Sequence, residues 1–264
     1  MYYIDAHAHV YPGEIAGKAS LATADFYEMT MQHEGRLETL LERGQLAGIR
    51  KHLVHGVAVT PERVTGINNY LMRTVAEYPD RLMAFGAMHP DFADVPAELK
   101  RIKAGGLLGV KIHADMQKVL LDGDNVIHLF QCLARENMPA MMHAGDFRFP
   151  YSEPRRLAKA LEAVPDVKVI AAHFGGWSIW DSACDTLAQL HNVWVDTSSS
   201  LYALTPEKGA EIVRRYRPDR VLFGTDYPMW DPVIERERFE ALPLTQEERE
   251  NIAHCNIEAF FRQF

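Results

Sequence analysis

Two histidines stand two positions apart near the start of the chain, in Ile4-Asp5-Ala6-His7-Ala8-His9-Val10. Side chains along a strand alternate between its faces, so His7 and His9 project the same way, and Asp5 is expected on that face as well. Two imidazoles presented from one strand can occupy adjacent positions around a zinc-like ion, with a carboxylate behind them to orient a ring. The chain carries 12 histidines in 264 residues. At that density random placement supplies about 0.5 pairs at this spacing, so the pair needs structural context.

That context comes from the elements. Apolar runs that read as strands cover 4–10, 51–59, 81–88, 107–113, 139–143, 167–173, 193–196 and 221–226. Between them, helical stretches run from 37 to before Gly48, then over 61–78 with Thr60 as N-cap and Pro61 at the first helical position, 94–104, 124–136, 153–164, 178–190 and 206–216. One or two further helices end near Phe264. The segment from Tyr11 to about Arg36 lacks clean periodicity. It is expected either to pack on the surface or to form a flap beside the end of the first strand. Eight strands alternating with helices in this length predict a single (β/α)8 TIM barrel spanning 1–264. A doubly wound sheet would show a glycine-rich turn after its first strand, where this chain has His-Ala-His-Val-Tyr-Pro.

Composition removes several function classes. A net charge of −8 and no basic run oppose nucleic-acid binding. No apolar stretch approaches the length of a membrane span. Cys132, Cys184 and Cys255 are odd in number and widely spaced, so no disulfide framework is expected. Asp5, His7 and His9 interrupt any signal-peptide core. A soluble, cytoplasmic protein is the expectation.

Barrel enzymes place their chemistry at the carboxyl ends of the strands. Those ends carry His7, His9, His89, His113, His143, His173, Asp196 and Asp226, which include six of the 12 histidines. Some have blander readings. His89 precedes a proline and can bond backbone in its loop, and His55 reads as a hydrogen-bonded core residue. Asp196 opens a Thr-Ser-Ser-Ser run, where capping or turn bonding is the commoner role. His33, His52, His128, His191 and His254 read as structural or surface residues.

The set Asp5-Ala6-His7-Ala8-His9, Met142-His143-Ala144-Gly145, Ala172-His173-Phe174-Gly175-Gly176 and Gly224-Thr225-Asp226-Tyr227-Pro228 resembles the amidohydrolase superfamily. It is most similar to the branch that includes aminocarboxymuconate-semialdehyde and resorcylate decarboxylases. The resemblance runs the whole chain in order. It implies a divalent ion, zinc first, held by His7, His9, His143 and Asp226, with His173 and Asp226 as catalytic groups. At strand four, Lys111 and His113 share a face. Some superfamily members carry a carbamylated lysine there that bridges a second ion. The reading adopted is an unmodified Lys111 that, with His113, binds an acidic group of the substrate, since a buried ammonium needs an anion. Arg148, in the loop after His143, and Trp177, after strand six, are further candidates for substrate contact.

Such a site suits hydrolysis of a small amide, lactone or ester, because zinc can lower the pKa of a bound water to about 7. It also suits non-oxidative decarboxylation. The expectation is a metal-dependent hydrolase, then a decarboxylase, then a non-catalytic metal-binding protein. The expected partner is a small-molecule substrate, with homo-oligomerisation left open.

Overall fold

The computed structural model describes residues 1–264. Eight parallel strands form one sheet in sequence order: β1 (Tyr3–His9), β2 (Ile49–His55), β3 (Leu82–Ala87), β4 (Gly109–Ile112), β5 (Ala140–Met142), β6 (Val169–Ala171), β7 (Val193–Asp196) and β8 (Val221–Leu222). The first and last strands meet where Ala6 N–H donates to Phe223 O at 2.8 Å and His9 N–H donates to Tyr227 O at 2.6 Å. This is the (β/α)8 barrel that the alternation predicts. Between β1 and β2 lie α1 (Ala16–Tyr27) and α2 (Leu37–Leu46); α3 (Val64–Glu77) precedes β3 and α4 (Val95–Ala104) precedes β4. Next come α5 (Ala114–Gln117), α6 (Asp124–Glu136), α7 (Pro154–Ala163), α8 (Trp180–Leu187) and α9 (Pro206–Tyr216). After β8 the chain forms α10 (Pro232–Glu240), α11 (Gln246–Glu250), a π-helical turn (Asn251–Cys255) and α12 (Asn256–Phe261). No helix is long and apolar enough to cross a membrane.

Strand alternation divides the apolar residues between two layers. Ile4, Ala6, Leu53, Phe85, Met141, Ile170 and Leu222 fill the barrel interior, and Ile257 and Phe260 of α12 pack with them. The alternate residues of the same strands, such as Val54, Val110, Ile112, Met142 and Val195, pack with the helical layer. Because Val110 and Ile112 face outward, Lys111 and His113 face in, as their spacing predicts.

The first strand departs from simple alternation. Asp5 pairs with His52 and Ala8 with Val54, so β1 carries three steps where β2 carries two. This bulge, rare in a parallel pair, reverses the facing of the residues beyond it. Ile4 and Ala6 point inward before it, and His9 is level with inward-facing His55 after it. Asp5 is therefore not on the histidine face. It sits in the outer layer and accepts from His52 Nδ1 at 3.0 Å and from Thr225 N and Oγ1 at 2.9 and 2.8 Å.

Other differences are local. Residues 16–27, expected to be irregular, form a helix whose only buried residues are Ala16 and Ser20. Ala19, Ala22, Phe26 and Tyr27 border a cavity instead of the core, while Leu21 lies exposed outside that stripe and blurs its period. Thr60 and Pro61 take the N-cap and first positions of a 3-10 turn, Pro61–Arg63, that leads into α3, but the Thr60 side chain makes no capping bond. The strands also stop earlier than their apolar runs, so His113, His143, His173 and Asp226 all stand just past strand ends.

Candidate metal centre and active site

β1 brings His7 and His9 to the top of the barrel with their Nε2 atoms 3.2 Å apart. Asp226 Oδ1 lies 3.4 Å from the first and 3.5 Å from the second. The His7 tautomer follows from its other nitrogen. Nδ1 is 3.0 Å from Asp196 Oδ2, an acceptor, so Nδ1 carries the proton and Nε2 presents its lone pair. An imidazole lone pair, a second imidazole and a carboxylate oxygen thus converge on one buried point. Electron-rich atoms gathered in this way fit a divalent cation, and a carboxylate behind the ligating ring is the usual support. That supporting carboxylate is Asp196, not Asp5.

Asp196 organises this side of the site. Its Oδ1 accepts from His173 N at 3.1 Å, from Ser198 N at 3.0 Å and from the Ser198 hydroxyl. Ser198 Oγ also lies 3.1 Å from His7 Nδ1. Asp226 Oδ2 accepts from Ser199 Oγ, which in turn accepts from Trp230 Nε1 at 2.9 Å. Gly224 permits this convergence, because a Cβ there would stand 3.2 Å from the Cβ atoms of His7 and Ser198 and 3.3 Å from that of Asp196. His173 and Asp226 both adopt left-handed backbone, at φ 61° and 57°. Such conformations are uncommon outside glycine and are held here by backbone bonds, among them Asp226 N–H to His7 O at 2.7 Å.

The remaining histidines form a chain across the floor. His173 Nδ1 donates to Ser198 O at 3.1 Å, so its Nε2 is the acceptor for His143 Nδ1 at 3.1 Å. That assignment leaves His143 Nε2 with a lone pair. It is buried without a hydrogen-bond partner, as is Asp115 Oδ1, and Asp115 Oδ2 stands 3.7 Å away from it. His143 therefore lines the same cavity as the His7–His9–Asp226 group and has a free donor atom, but its ring is tied to His173. The His113 ring stacks on that of His143 at 4.0 Å. Its Nδ1 accepts from Met116 N, leaving Nε2–H to donate to Tyr27 Oη at 2.6 Å. The proton expected to meet a substrate acid is committed to Tyr27, whose own hydroxyl faces the cavity.

Lys111 Nζ lies 3.2 Å from His7 Nε2 and within ion-pairing distance of no carboxylate, although it is buried. A donor belongs at that distance from a lone pair. Burial pushes the Lys111 amine down and the Asp226 carboxyl up from their ordinary ranges. Burial, reinforced by the Lys111 charge, holds His9 at about 3, and burial brings His173 to about 4. His7, His113 and His143 are driven well below the usual range for the same reason. All are neutral at pH 7, the state a metal ligand requires.

Two expected residues lie elsewhere. Arg148 does not line the cavity. Its guanidinium is bidentate on Asp146, with Nε 2.9 Å from Oδ1 and Nη2 2.7 Å from Oδ2, and Nη1 donates to Phe26 O at 2.9 Å. It anchors the end of α1. Trp177 borders a small recess behind His143, His173 and Asp226 and packs on Tyr27. His89 accepts from Asp91 N–H within its own loop. His55 bonds Ala6 O and backs the His7 and His9 rings.

Four participants carry no functional role in the sequence reading. Asp196 reads there as a capping or turn residue, although its place at a strand end is a signal for more. Ser198 and Ser199 belong to the run that follows it. Tyr27 comes from the aperiodic segment, where nothing in the sequence marks it.

Above the floor opens a cavity of about 670 Å³, walled by α1, α3 and the loops after β2 and β4. A sequence model described as Amidohydrolase matches residues 4–263. No curated protein matches the chain. An uncharacterised TIM-barrel protein from Bordetella bronchiseptica superimposes with a TM-score of 0.82 at 21% identity, covering 100% of this chain and 99% of that one. The 2,6-dihydroxybenzoate decarboxylase from Rhizobium gives 0.76 at 17% identity over 99% of both chains. A dihydroxybenzoic acid decarboxylase from Polaromonas, with bound manganese and 2-nitroresorcinol, gives 0.73 at 17% identity over 99% of this chain and 97% of its own. At these identities the likeness is one of fold.

Proposed function

The chain belongs to the amidohydrolase family, and from that premise we propose that it is a metal-dependent enzyme that decarboxylates a small carboxylic acid without an oxidant. The observation that carries this reading is Lys111, a buried ammonium without a carboxylate partner beside the ligand cluster. Such a charge calls for an anionic substrate. Solved structures of the same fold that are named as decarboxylases, one holding manganese, lend support.

The residues proposed to hold the ion are His7, His9, Asp226 and His143. Their imidazole and carboxylate donors suit zinc or manganese. When bound, the ion supplies Lewis acidity to substrate oxygens. Lys111 binds the carboxylate of the substrate and holds it until the carbon–carbon bond breaks and CO2 departs. The electron pair stays on carbon, and a proton replaces the carboxyl group. Asp226 is placed to handle that proton through Oδ1, which Ser199 leaves free, and His173, with Nδ1 pinned to Ser198 O and Nε2 accepting from His143 Nδ1, takes it up only as the bond to His143 is released. A hydrolytic reading comes second. It is favoured by the same free Oδ1, which a base acting on water would need.

The test is to load the protein with Zn2+ or Mn2+ and offer carboxyl-labelled aromatic and unsaturated acids beside amides, lactones and esters. Metal-dependent release of labelled CO2, lost by about 10²-fold or more in Asp226→Asn and His173→Asn, is the expected result. Hydrolysis without CO2 release would replace the first reading with the second.

A further inference from the structure

We propose that the substrate is elongated, with an apolar tail that lies in the slot between α1 and α3 while its acidic head reaches Lys111. This rests on the acid reading above and extends it. Two helical stripes carry the argument. On α1 and the residue before it, Ile15, Ala19, Ala22 and Phe26 follow one another at helical spacing and line the cavity. On α3, Gly66, Ile67 and Tyr70 do the same from the opposite side. Apolar stripes at this spacing ordinarily meet in a core. Here they face each other across a cavity that also contains His7, His9 and Lys111, so its occupant is the reacting molecule.

The side-chain sizes keep the slot open. Ala19 and Ala22 are small, and a Cβ at Gly66 would meet nothing within 4 Å. Gly56 serves the opposite purpose: a Cβ there would fall 2.3 Å from Ile67 Cγ2, so its absence lets α3 seat against the end of β2. The mouth keeps apolar side chains in water, with Ile15 47% and Val59 39% exposed. A single benzene-sized ring fills about 150 Å³, far less than the 670 Å³ available. A head group alone leaves most of the slot empty.

The experiment measures binding, not turnover, on metal-loaded protein. Calorimetric affinities are compared for benzoate, 3-phenylpropanoate, 5-phenylpentanoate and 7-phenylheptanoate, and for the matching phenylalkanols. Affinity is expected to rise about threefold to fourfold per methylene until the tail leaves the slot. Gly66→Leu, which fills open space and favours the helix, should flatten that rise for the longer acids and leave benzoate unaffected. A flat series in the wild type, or an unchanged series in Gly66→Leu, would overturn the slot. If alcohols and acids rise together and Lys111→Met weakens neither, the slot stands and the acid reading falls.

Discussion

The two sides of the active-site floor are built differently. On the β1–β7–β8 side, both nitrogens of His7 have neighbours, Asp196 engages four donors, and the backbone at Asp226 is held by a bond to His7. On the β4–β5 side the stacked rings of His113 and His143 are bonded at three of their four nitrogens, but His143 Nε2 and Asp115 Oδ1 are buried without partners. Unsatisfied buried polar atoms are costly, so they persist where function needs them. The first side is organised in advance; the second waits for an ion or a substrate to complete it. Under the proposed ligand set, His7, His9 and Asp226 offer an ion a preorganised half of its site, and His143 completes it from the less satisfied side.

The harshest way to strain this contrast is acid, applied to the metal-free protein. Seven histidines (His7, His9, His55, His89, His113, His143 and His173) have folded pKa values below the ordinary 6.5. The unfolded chain therefore binds more protons than the folded one below about 6.5, and stability falls as pH drops toward 4. Asp115, Asp226 and Glu235, raised by burial to about 7, 7 and 8, oppose this. They are fewer, so net proton uptake on unfolding is expected. The check is Tm against pH, which should decline steeply between 6.5 and 4, with bound metal resisting the decline. A flat profile would mean the histidines are hydrated and the braced side is not as dry as its burial indicates.

A sharper cut separates the two sides. Asp196→Asn keeps the shape but weakens the acceptor behind His7, and metal affinity should fall by about 10–100-fold. Asp115→Asn, on the unbraced side, should change metal affinity by less than about threefold, against the same reference. Competition with a chelator measures both. Equal losses would erase the distinction. The smallest expected effect is at Tyr27. Tyr27→Phe removes one hydroxyl from the adaptable side, which should raise KM by about 2–10-fold with metal content unchanged, the usual range for one neutral hydrogen bond. Loss of metal in that variant would make Tyr27 part of the support for His143.

The barrel was readable because each strand is a short apolar run closed by polar or small residues, and that pattern survives without any knowledge of packing. Lys111 and His113 were placed on the inward face by period two alone, and the fold obeys it. Asp5 was misplaced because a bulge is a property of pairing with β2, and β1 alone carries no mark of it. Tyr27 lies on α1, whose apolar stripe faces a cavity and whose exposed Leu21 blurs the period, so the helix does not read as one from its sequence. Arg148 looked available because its partners, Asp146 and the carbonyl of Phe26, become neighbours only when the loop folds back on α1.

The bulge in β1 makes the active site hang on a single residue count. One extra position between Asp5 and Ala8 lets Ala6 join the interior while His9 still points inward. At unchanged length, a first strand that ran on from Asp5 without the bulge would turn His7 and His9 outward, whereas deleting Ala6 would restore plain alternation and keep both histidines inward, with Asp5 still paired to His52 and Ala8 to Val54. The spare residue is therefore what reconciles the pairing of the strand with the direction of its histidines.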